Sequence, residues 1–396
     1  MRLADRTSLL RPSPTMALDA KAKEMARTGR SVISFGVGEP DFDTPQAVKD
    51  AAIAALQAGK TKYTPVAGIP ELRAAIAGRF LREQGAQYPA EGVVVTAGAK
   101  QALYQVFQVL LNPGDEVVVP APYWVTYPDQ IVLAGGTPVI VPAGIDQGFA
   151  LTLKDFEGAA TEKTRAIVLN SPQNPAGSVL DPQEVVAIAE WAAGRGIAII
   201  SDEVYGKLLY DGAQHRSPAT ASAAARDATI VVDAVSKSYA MTGWRLGWML
   251  TSDVKLAAAV GNLQSQSTSN TNSIAQYAAL AALTGDDAAL PGMVRAFGAR
   301  RDLMVELLRR LPGVEVDVPR GAFYCFPRVR DLLASPPKGL HFADSDELAA
   351  YLLEETGVAV VPGSGFGMPE YLRLSYATGE EQIREGLGRL AQALGA

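Results

Sequence analysis

Cysteine and histidine are scarce in this chain of 396 residues, which has one cysteine, Cys325, and two histidines, His215 and His341. A lone cysteine excludes a disulfide within the chain and fits a reducing compartment. These three residues are too few for a zinc site of the usual Cys/His kind, and they leave little for a serine hydrolase that needs a histidine base. We therefore expect no metal site, and we place both histidines in surface or loop positions without a role.

An excess of positive charge and long apolar runs are also missing. The chain has 36 Lys and Arg against 42 Asp and Glu, a net charge of −6 at pH 7, so we expect no basic surface for nucleic acid. No segment reaches the roughly 18 consecutive apolar residues of a membrane helix. Residues 1–29 carry charges throughout, unlike a signal peptide. The sequence thus predicts a cytoplasmic protein that binds neither nucleic acid nor a membrane.

The middle of the chain alternates short apolar strands with helical patterns. The predicted strands are 92–96, 116–119, 137–141, 166–169, 197–201 and 229–232, and further short strands are predicted in the tail at 314–318, 321–326, 358–361 and 371–375. Apolar strands separated by helices favour a mostly parallel sheet covered on both faces. We expect an α/β fold with a mostly parallel, mixed sheet.

The same pattern predicts two domains. A large domain would span residues 44–290, and a smaller α+β domain would span residues 291–396, where strands are fewer. The N-terminal segment, residues 1–43, would join the small domain.

Polar segments follow some of these strands, at the sheet edge where open α/β folds bind their ligands. They are residues 96–101, 170–177, 201–205 and 233–247. Each also has an ordinary structural explanation, as a glycine turn, a local asparagine turn, a helix N-cap and a solvated lysine, respectively. The last segment favours a site, because Lys237 stands between two serines with Tyr239 and Arg245 close behind.

Taken together, these segments suit one ligand. The turn at Gly98 would open a helix whose N–H groups can bind a phosphate, Lys237 can bond to an aldehyde, and Asp202 can hold a protonated ring nitrogen. Pyridoxal 5′-phosphate has all three groups.

At these residues the sequence resembles the fold-type I, class I pyridoxal-phosphate-dependent aminotransferases, and it is most similar to the bacterial aspartate aminotransferases. The motifs that carry the resemblance are residues 36–42, Tyr63 with Gly68 and 72–73, and then 98–101, 122–124, 170–177, 202–205, 236–247 and 373–376. Single motifs are weak signals, but the ordered set covers nearly the whole chain.

The resemblance implies roles for individual residues. Lys237 would bond to the cofactor aldehyde and later move a proton between substrate and cofactor. Asp202 would pair with the pyridinium nitrogen, while Tyr205 and Asn174 would hydrogen-bond the ring oxygen. The other implied cofactor-binding residues are Trp124, stacked on the ring, and Gly98, Ala99, Lys100, Ser236 and Arg245 around the phosphate, with Tyr63 reaching over from a partner subunit. The resemblance therefore also implies a homodimer with shared active sites.

Substrate recognition is implied in the same way. Arg373 would bind the substrate α-carboxylate through two parallel N–H···O bonds, with the Gly38 backbone, Trp124 and Asn174 beside it. One subgroup of the family binds the substrate's side-chain carboxylate with an arginine from the stretch matching 264–273, which contains no Arg or Lys here. Other bacterial members use a lysine after the phosphate turn, where this chain has Lys100, and the N-terminal residues Thr15 and Arg11 would assist.

We therefore expect an aminotransferase that moves an amino group from an amino acid, aspartate, to a 2-oxo acid, 2-oxoglutarate, in a ping-pong cycle between pyridoxal and pyridoxamine phosphate. A prephenate, aromatic or alanine aminotransferase and a carbon–sulfur lyase remain open on the same cofactor, because prephenate also bears two carboxylates. A non-catalytic binding module with this fold is the alternative from another class. A dehydrogenase is disfavoured because the glycines at 363–367 lack the dinucleotide-binding spacing.

Overall fold

The computed structural model of the chain describes residues 1–10 and 14–395, and the side chains of residues 14–17, 19 and 338 lie outside its described part. Its helices are α1 (Pro14–Arg27), α2 (Gln46–Gln57), α3 (Pro70–Gln84), α4 (Ala99–Leu110), α5 (Thr126–Leu133), α6 (Leu153–Ala159), α7 (Pro182–Gly194), α8 (Ala223–Ala228), α9 (Val254–Ser267), α10 (Ser273–Thr284), α11 (Leu290–Leu308), α12 (Arg330–Ala334), α13 (Ser345–Thr356) and α14 (Glu380–Leu394). Its strands are β1 (Ile33–Ser34), β2 (Val93–Thr96), β3 (Glu116–Ala121), β4 (Thr137–Pro142), β5 (Thr164–Asn170), β6 (Ala198–Asp202), β7 (Thr229–Ala234), β8 (Gly247–Leu250), β9 (Tyr324–Cys325), β10 (Val358–Ala359), β11 (Val361–Pro362) and β12 (Leu372–Ser375).

A seven-stranded sheet in the order β2-β8-β7-β6-β5-β3-β4 forms the centre of the larger part of the chain. Its strand pairs are parallel except for those of β8, which runs antiparallel to β2 and β7. Helices cover both faces, so neighbouring strand residues pack in opposite directions: Ile167 joins the core beneath α7, and Val168 joins the core beneath α4. Each buried aliphatic side chain of this kind contributes about 1.5–3 kcal/mol. The predicted α/β fold with a mostly parallel, mixed sheet is confirmed.

The parallel strands bring their carboxyl ends to one edge of the sheet. In the register of β5 with β6, Asn170 lies opposite Asp202. The neighbouring strand β7 ends at Ala234, shortly before Lys237. Polar residues from separate parts of the sequence therefore meet where the strands end.

A second, smaller sheet in the order β11-β12-β9 lies in the tail. The N-terminal segment pairs with the tail as well, because β1 lies parallel to β10 with Ile33 opposite Val358. The predicted domain boundaries fall in the loop before α2 and at the start of α11, and they remain a prediction.

One predicted tail strand is wrong. Residues 314–318 alternate valines with polar residues, yet they pair only through an isolated bridge between Glu315 and Arg328. In the antiparallel register of this bridge, residues 316–318 would lie opposite residues 327–325, but no further bridge forms between these described residues.

No helix within residues 1–10 and 14–395 is long and apolar enough to cross a membrane.

Close packing of β8 against the start of α4 depends on Gly247. A Cβ atom there would lie 2.6 Å from the Ala99 nitrogen, 2.7 Å from the Gly98 carbonyl carbon and 2.8 Å from the Asp233 oxygen. All three are backbone atoms, which cannot rotate away as a flexible side chain can. The start of α4 therefore keeps its position only if residue 247 has no side chain.

We expect Gly247→Ala to lower the free energy of unfolding by about 1–3 kcal/mol, because overpacking forces the backbone to shift. Urea denaturation measures the change. Gly243→Ala is the matched control, since a Cβ at Gly243 meets nothing within 4 Å, and its effect should stay within about 0.5 kcal/mol. Equal stability of the two variants would contradict the packing argument.

Candidate active site

Asp202, the last residue of β6, is a buried carboxylate at the edge where the parallel strands end. Its Oδ2 accepts a hydrogen bond from the Tyr127 hydroxyl at 2.6 Å, and its backbone oxygen accepts one from Asn170 Nδ2 at 3.0 Å. Burial raises the pKa of Asp202 to about 6, against the opposing effect of the Tyr127 hydrogen bond. Such a carboxylate is suited to a cationic ligand group, because an unpaired buried charge is costly.

Lys237 lies in the loop after β7 and points toward the N-terminal segment, where its amine donates to the Gly38 carbonyl oxygen. The amine also lies 5.8 Å from the ring centre of Tyr205. Burial, assisted by the positive charge of Arg373, lowers the pKa of Lys237 to about 8. A lysine of this kind is a nucleophile near neutral pH.

The turn before α4 forms a compact cradle together with Arg245. Gly98 has a φ of +84°, and a Cβ there would lie 2.8 Å from Arg245 Nη2. The Arg245 guanidinium donates to the Thr242 oxygen at 2.9 Å and to the Ala97 oxygen at 3.4 Å. Ser236, which lies in the loop that leads to Arg245, is buried. A helix N-terminus beside a guanidinium is a suitable place for a phosphate.

Lys100 and Trp124 lie together just inside α4 and just before α5. The Lys100 amine lies 4.9 Å from the Trp124 ring centre. Burial, and then the charge of Arg245, lowers the pKa of Lys100. The structure thus brings a lysine and an aromatic face to the same place beside the turn at Gly98.

Arg373, on β12 of the small sheet, is 3% exposed. Its Nη1 donates to Asn174 Oδ1 at 3.0 Å, and its Nη2 donates to the Gly36 oxygen at 2.7 Å. Its Nε–H has no hydrogen-bond partner among the described residues. Because buried polar groups are almost always paired, this N–H indicates a place for an acceptor such as a carboxylate.

Most predicted site residues therefore converge, although they come from separate segments. Tyr63 does not join this group, because it is 90% exposed in the single chain. The side chain of Thr15 and the whole of Arg11 lie outside the described residues.

Two tyrosines of the site were missed by the sequence analysis. Tyr127 binds Asp202, and the hydroxyl of Tyr324 lies 2.9 Å from that of Tyr205. Tyr127 follows the 122–124 motif closely, which is a weak indication of a site residue. Tyr324 lies in a run of aromatic residues, which is typical of a buried core.

A buried histidine was also missed. His215 lies in a loop as expected, but its side chain is only 5% exposed, and its Nε2 lies 3.0 Å from Glu203 Oε2. The loop position was expected, whereas the burial of the side chain was not. Nothing in the composition of its loop distinguishes it from an exposed histidine.

Comparison with known proteins agrees with this geometry. Residues 30–390 match the model of the family described as aminotransferase class I and II. The chain is 49% identical over 394 residues to a probable aspartate/prephenate aminotransferase of Aquifex aeolicus, covering 99% of this chain and 98% of that one. It is 46% identical to the aspartate aminotransferase of Bacillus subtilis, covering 98% of each.

Solved structures agree with the fold. The aspartate aminotransferase of Thermus thermophilus with maleate is 42% identical, with a TM-score of 0.93 and full coverage of both chains. That of Rhizobium meliloti is 40% identical, with a TM-score of 0.95 and coverage of 100% of this chain and 99% of that one. The predicted family and enzyme class are confirmed: this chain belongs to the class I and II aminotransferases.

Proposed function

We propose that the chain is an aspartate aminotransferase that uses pyridoxal 5′-phosphate and passes the amino group to 2-oxoglutarate. The observation that carries this proposal is that the buried Lys237 amine lies close enough to two buried charged groups to be influenced by both. Asp202 comes from the strand ends of the main sheet, and Arg373 comes from the small sheet. Both charges influence the pKa of Lys237. This arrangement suits a ligand held by its ring and a substrate held by its carboxylate.

The residues present fit this cofactor. The Gly98 cradle, which a Cβ would fill, provides a phosphate site next to Arg245. Asp202 provides the acceptor for a protonated ring nitrogen, and Lys237 provides the amine. When bound, the cofactor supplies an electron sink for the charge that develops when a substrate α-proton leaves.

The chain's own residues then have distinct tasks. Arg373 orients the substrate through its α-carboxylate, using the Nε–H that has no partner in the described part of the chain. Lys237 Nζ, whose pKa is lowered to about 8, accepts and returns the proton of the substrate α-carbon. Tyr205, with Asn174, would hold the ring oxygen, and Trp124 would cover one ring face.

Lys100 supports a dicarboxylic substrate. Its amine lies over the Trp124 ring, 4.9 Å from the ring centre, and we assign it to the second carboxylate of a bound substrate. In this proposal Lys100 takes the place of the arginine that the stretch 264–273 lacks.

Prephenate is the second candidate substrate. The Aquifex aeolicus relative is named a probable aspartate/prephenate aminotransferase, and a relative from Cereibacter sphaeroides, 46% identical, is named aspartate/prephenate aminotransferase. Prephenate has two carboxylates, so Lys100 and Arg373 would bind it in the same way.

A cytoplasmic homodimer completes the proposal. The 90% exposed Tyr63 is the residue expected to reach a partner's phosphate site, and covering it would remove a large aromatic ring from water. A monomer mass by light scattering would contradict the dimer. The single buried, free Cys325 supports a reducing compartment.

The activity is tested by oxaloacetate release from aspartate and 2-oxoglutarate, with added pyridoxal phosphate. We expect turnover by the natural chain and a loss of at least about a thousandfold in Lys237→Ala, because a positioned acid–base group is removed. Lys154→Ala, which changes an exposed lysine on α6, should keep full activity. Absence of oxaloacetate with the natural chain would exclude aspartate, and a parallel assay with prephenate would decide the second candidate.

Asp202 is expected to favour cofactor binding at the cost of stability. Its pKa is raised to about 6 in the folded, cofactor-free chain, so the folded state binds the proton more tightly than the unfolded state. Stability is then lost as pH rises between the unfolded value near 4 and the folded value near 6, and the loss remains at higher pH.

Asp202→Asn should therefore stabilise the cofactor-free chain by about 1–3 kcal/mol at pH ~8 and by almost nothing at pH ~4, while it weakens cofactor binding. Urea denaturation at both pH values measures the difference. Asp43→Asn, which changes a carboxylate whose side chain is 98% exposed, is the control. A gain from Asp202→Asn that is the same at both pH values would refute the titration argument.

Lys100→Gln is expected to act on one substrate class. Loss of a charged hydrogen bond should lower kcat/KM for aspartate by roughly 10- to 100-fold and leave a monocarboxylic donor nearly unchanged. Half-reaction kinetics with both donors provide the comparison. An equal loss for both donors would instead assign Lys100 to the phosphate alone.

A further inference from the structure

Tyr324 contacts three separate parts of the candidate site. Its ring centre lies 4.7 Å from Arg373 Cζ, and its hydroxyl lies 2.9 Å from the Tyr205 hydroxyl. A Cβ at Gly38 would lie 3.0 Å from the same hydroxyl oxygen. Tyr324 is only 1% exposed. One buried side chain therefore joins the small sheet, the main sheet and the N-terminal segment.

The register of the small sheet places Tyr324 beside Arg373. In the antiparallel pair of β9 and β12, Tyr324 lies opposite Ser375 and Cys325 lies opposite Leu374. Residues 373 and 375 share one face of β12, because side chains alternate along a strand. Tyr324 is therefore the diagonal neighbour of Arg373 on that face, within reach for a large ring.

We propose that Tyr324 is a positioning residue with two separable parts, a ring that orients Arg373 for the substrate carboxylate and a hydroxyl that donates to Tyr205. This inference rests on the proposed function, because it assigns Tyr205 to the cofactor ring oxygen and Arg373 to the substrate.

The assignment of the donor follows from counting protons. A tyrosine hydroxyl has one proton to donate and can accept as well. If Tyr205 used its proton on Tyr324, it would have none for the cofactor ring oxygen. Donation from Tyr324 leaves the Tyr205 proton available, and a chain of hydrogen bonds in one direction strengthens each member.

The ring has a separate task. The Arg373 guanidinium lies near two aromatic rings, those of Tyr324 at 4.7 Å and Phe366 at 5.1 Å from their centres. Aromatic faces attract a guanidinium and limit its rotation, while Asn174 and Gly36 accept from its two Nη atoms. The remaining Nε–H is then held in a fixed direction.

The hydroxyl is tested by the pH dependence of the absorbance of cofactor bonded to Lys237. In Tyr324→Phe the Tyr205 hydroxyl donates more weakly, so the ring oxygen stays more negative and the proton at the Lys237 nitrogen is held to higher pH. We expect the midpoint to rise by roughly 0.3–1 pH unit. In a Tyr205→Phe background, adding Tyr324→Phe should cause no further rise, because the hydroxyl acts through Tyr205.

The ring is tested by binding of succinate, a dicarboxylate that does not react. Tyr324→Leu should weaken succinate binding by roughly 3- to 30-fold, as expected for the loss of a cation–π contact, whereas Tyr324→Phe should change it less than about twofold. Phe366→Leu is the matched control: it should also weaken succinate binding but leave the absorbance midpoint unchanged, because Phe366 has no hydroxyl. If Tyr324→Leu does not fold, Tyr324→Met replaces it.

The outcomes separate this inference from the proposed function. A natural chain that shows neither oxaloacetate release nor a cofactor absorbance would overturn both. An active natural chain whose absorbance midpoint is absent, or is unchanged in Tyr324→Phe, would overturn the hydroxyl's role alone. A further midpoint rise in the Tyr205→Phe background would show that Tyr324 does not act through Tyr205. Unchanged succinate binding in the variant without the ring would overturn the ring's role.

Discussion

The buried carboxylate of Asp202 is the constraint around which the site is built. It lies at the carboxyl end of β6, where the sheet ends and water is largely excluded, and its pKa is raised to about 6 by that burial. A hydroxyl from Tyr127 and a backbone amide from Val204 reach it. A ligand with a cationic nitrogen would repay the cost of keeping this charge buried, since a buried charge is tolerated when it is paired.

The positive groups come from outside that sheet edge. Lys237 enters from the loop after β7, and Arg373 enters from the small sheet. Burial, together with the positive charge of Arg373, lowers the pKa of Lys237. The result is an amine with a pKa of about 8 beside a guanidinium that stays charged. The N-terminal segment contacts both side chains. The Gly38 oxygen accepts a hydrogen bond from Lys237, and the Gly36 oxygen accepts one from Arg373. Binding of a substrate carboxylate and activation of the lysine are therefore linked by charge.

Much of the fold could be predicted because the strands are short, apolar and separated by helices. The lysine segment could also be recognised, since Lys237 follows a strand and stands between two serines, with Tyr239 and Arg245 close behind. Residues 314–318 misled the prediction. Alternation of apolar and polar residues indicates which face of a strand is buried, but it does not show whether another strand lies alongside to pair with it. Tyr324, Tyr127 and His215 were not recognised, because an aromatic or histidine residue in a core-like pattern has the same local signature whether or not its polar atom is used.

The order of residues along the chain was sufficient to indicate the family, the α/β class and the chemical types that the site contains. Which of those groups touch was decided by the folded chain, because contacts such as Tyr205 with Tyr324, or Arg373 with Asn174, join residues more than a hundred positions apart. The shifted pKa values of Asp202 and Lys237 depend on burial, which no local pattern contains. A sequence carries the types of charge, and only packing determines their distances and their access to water.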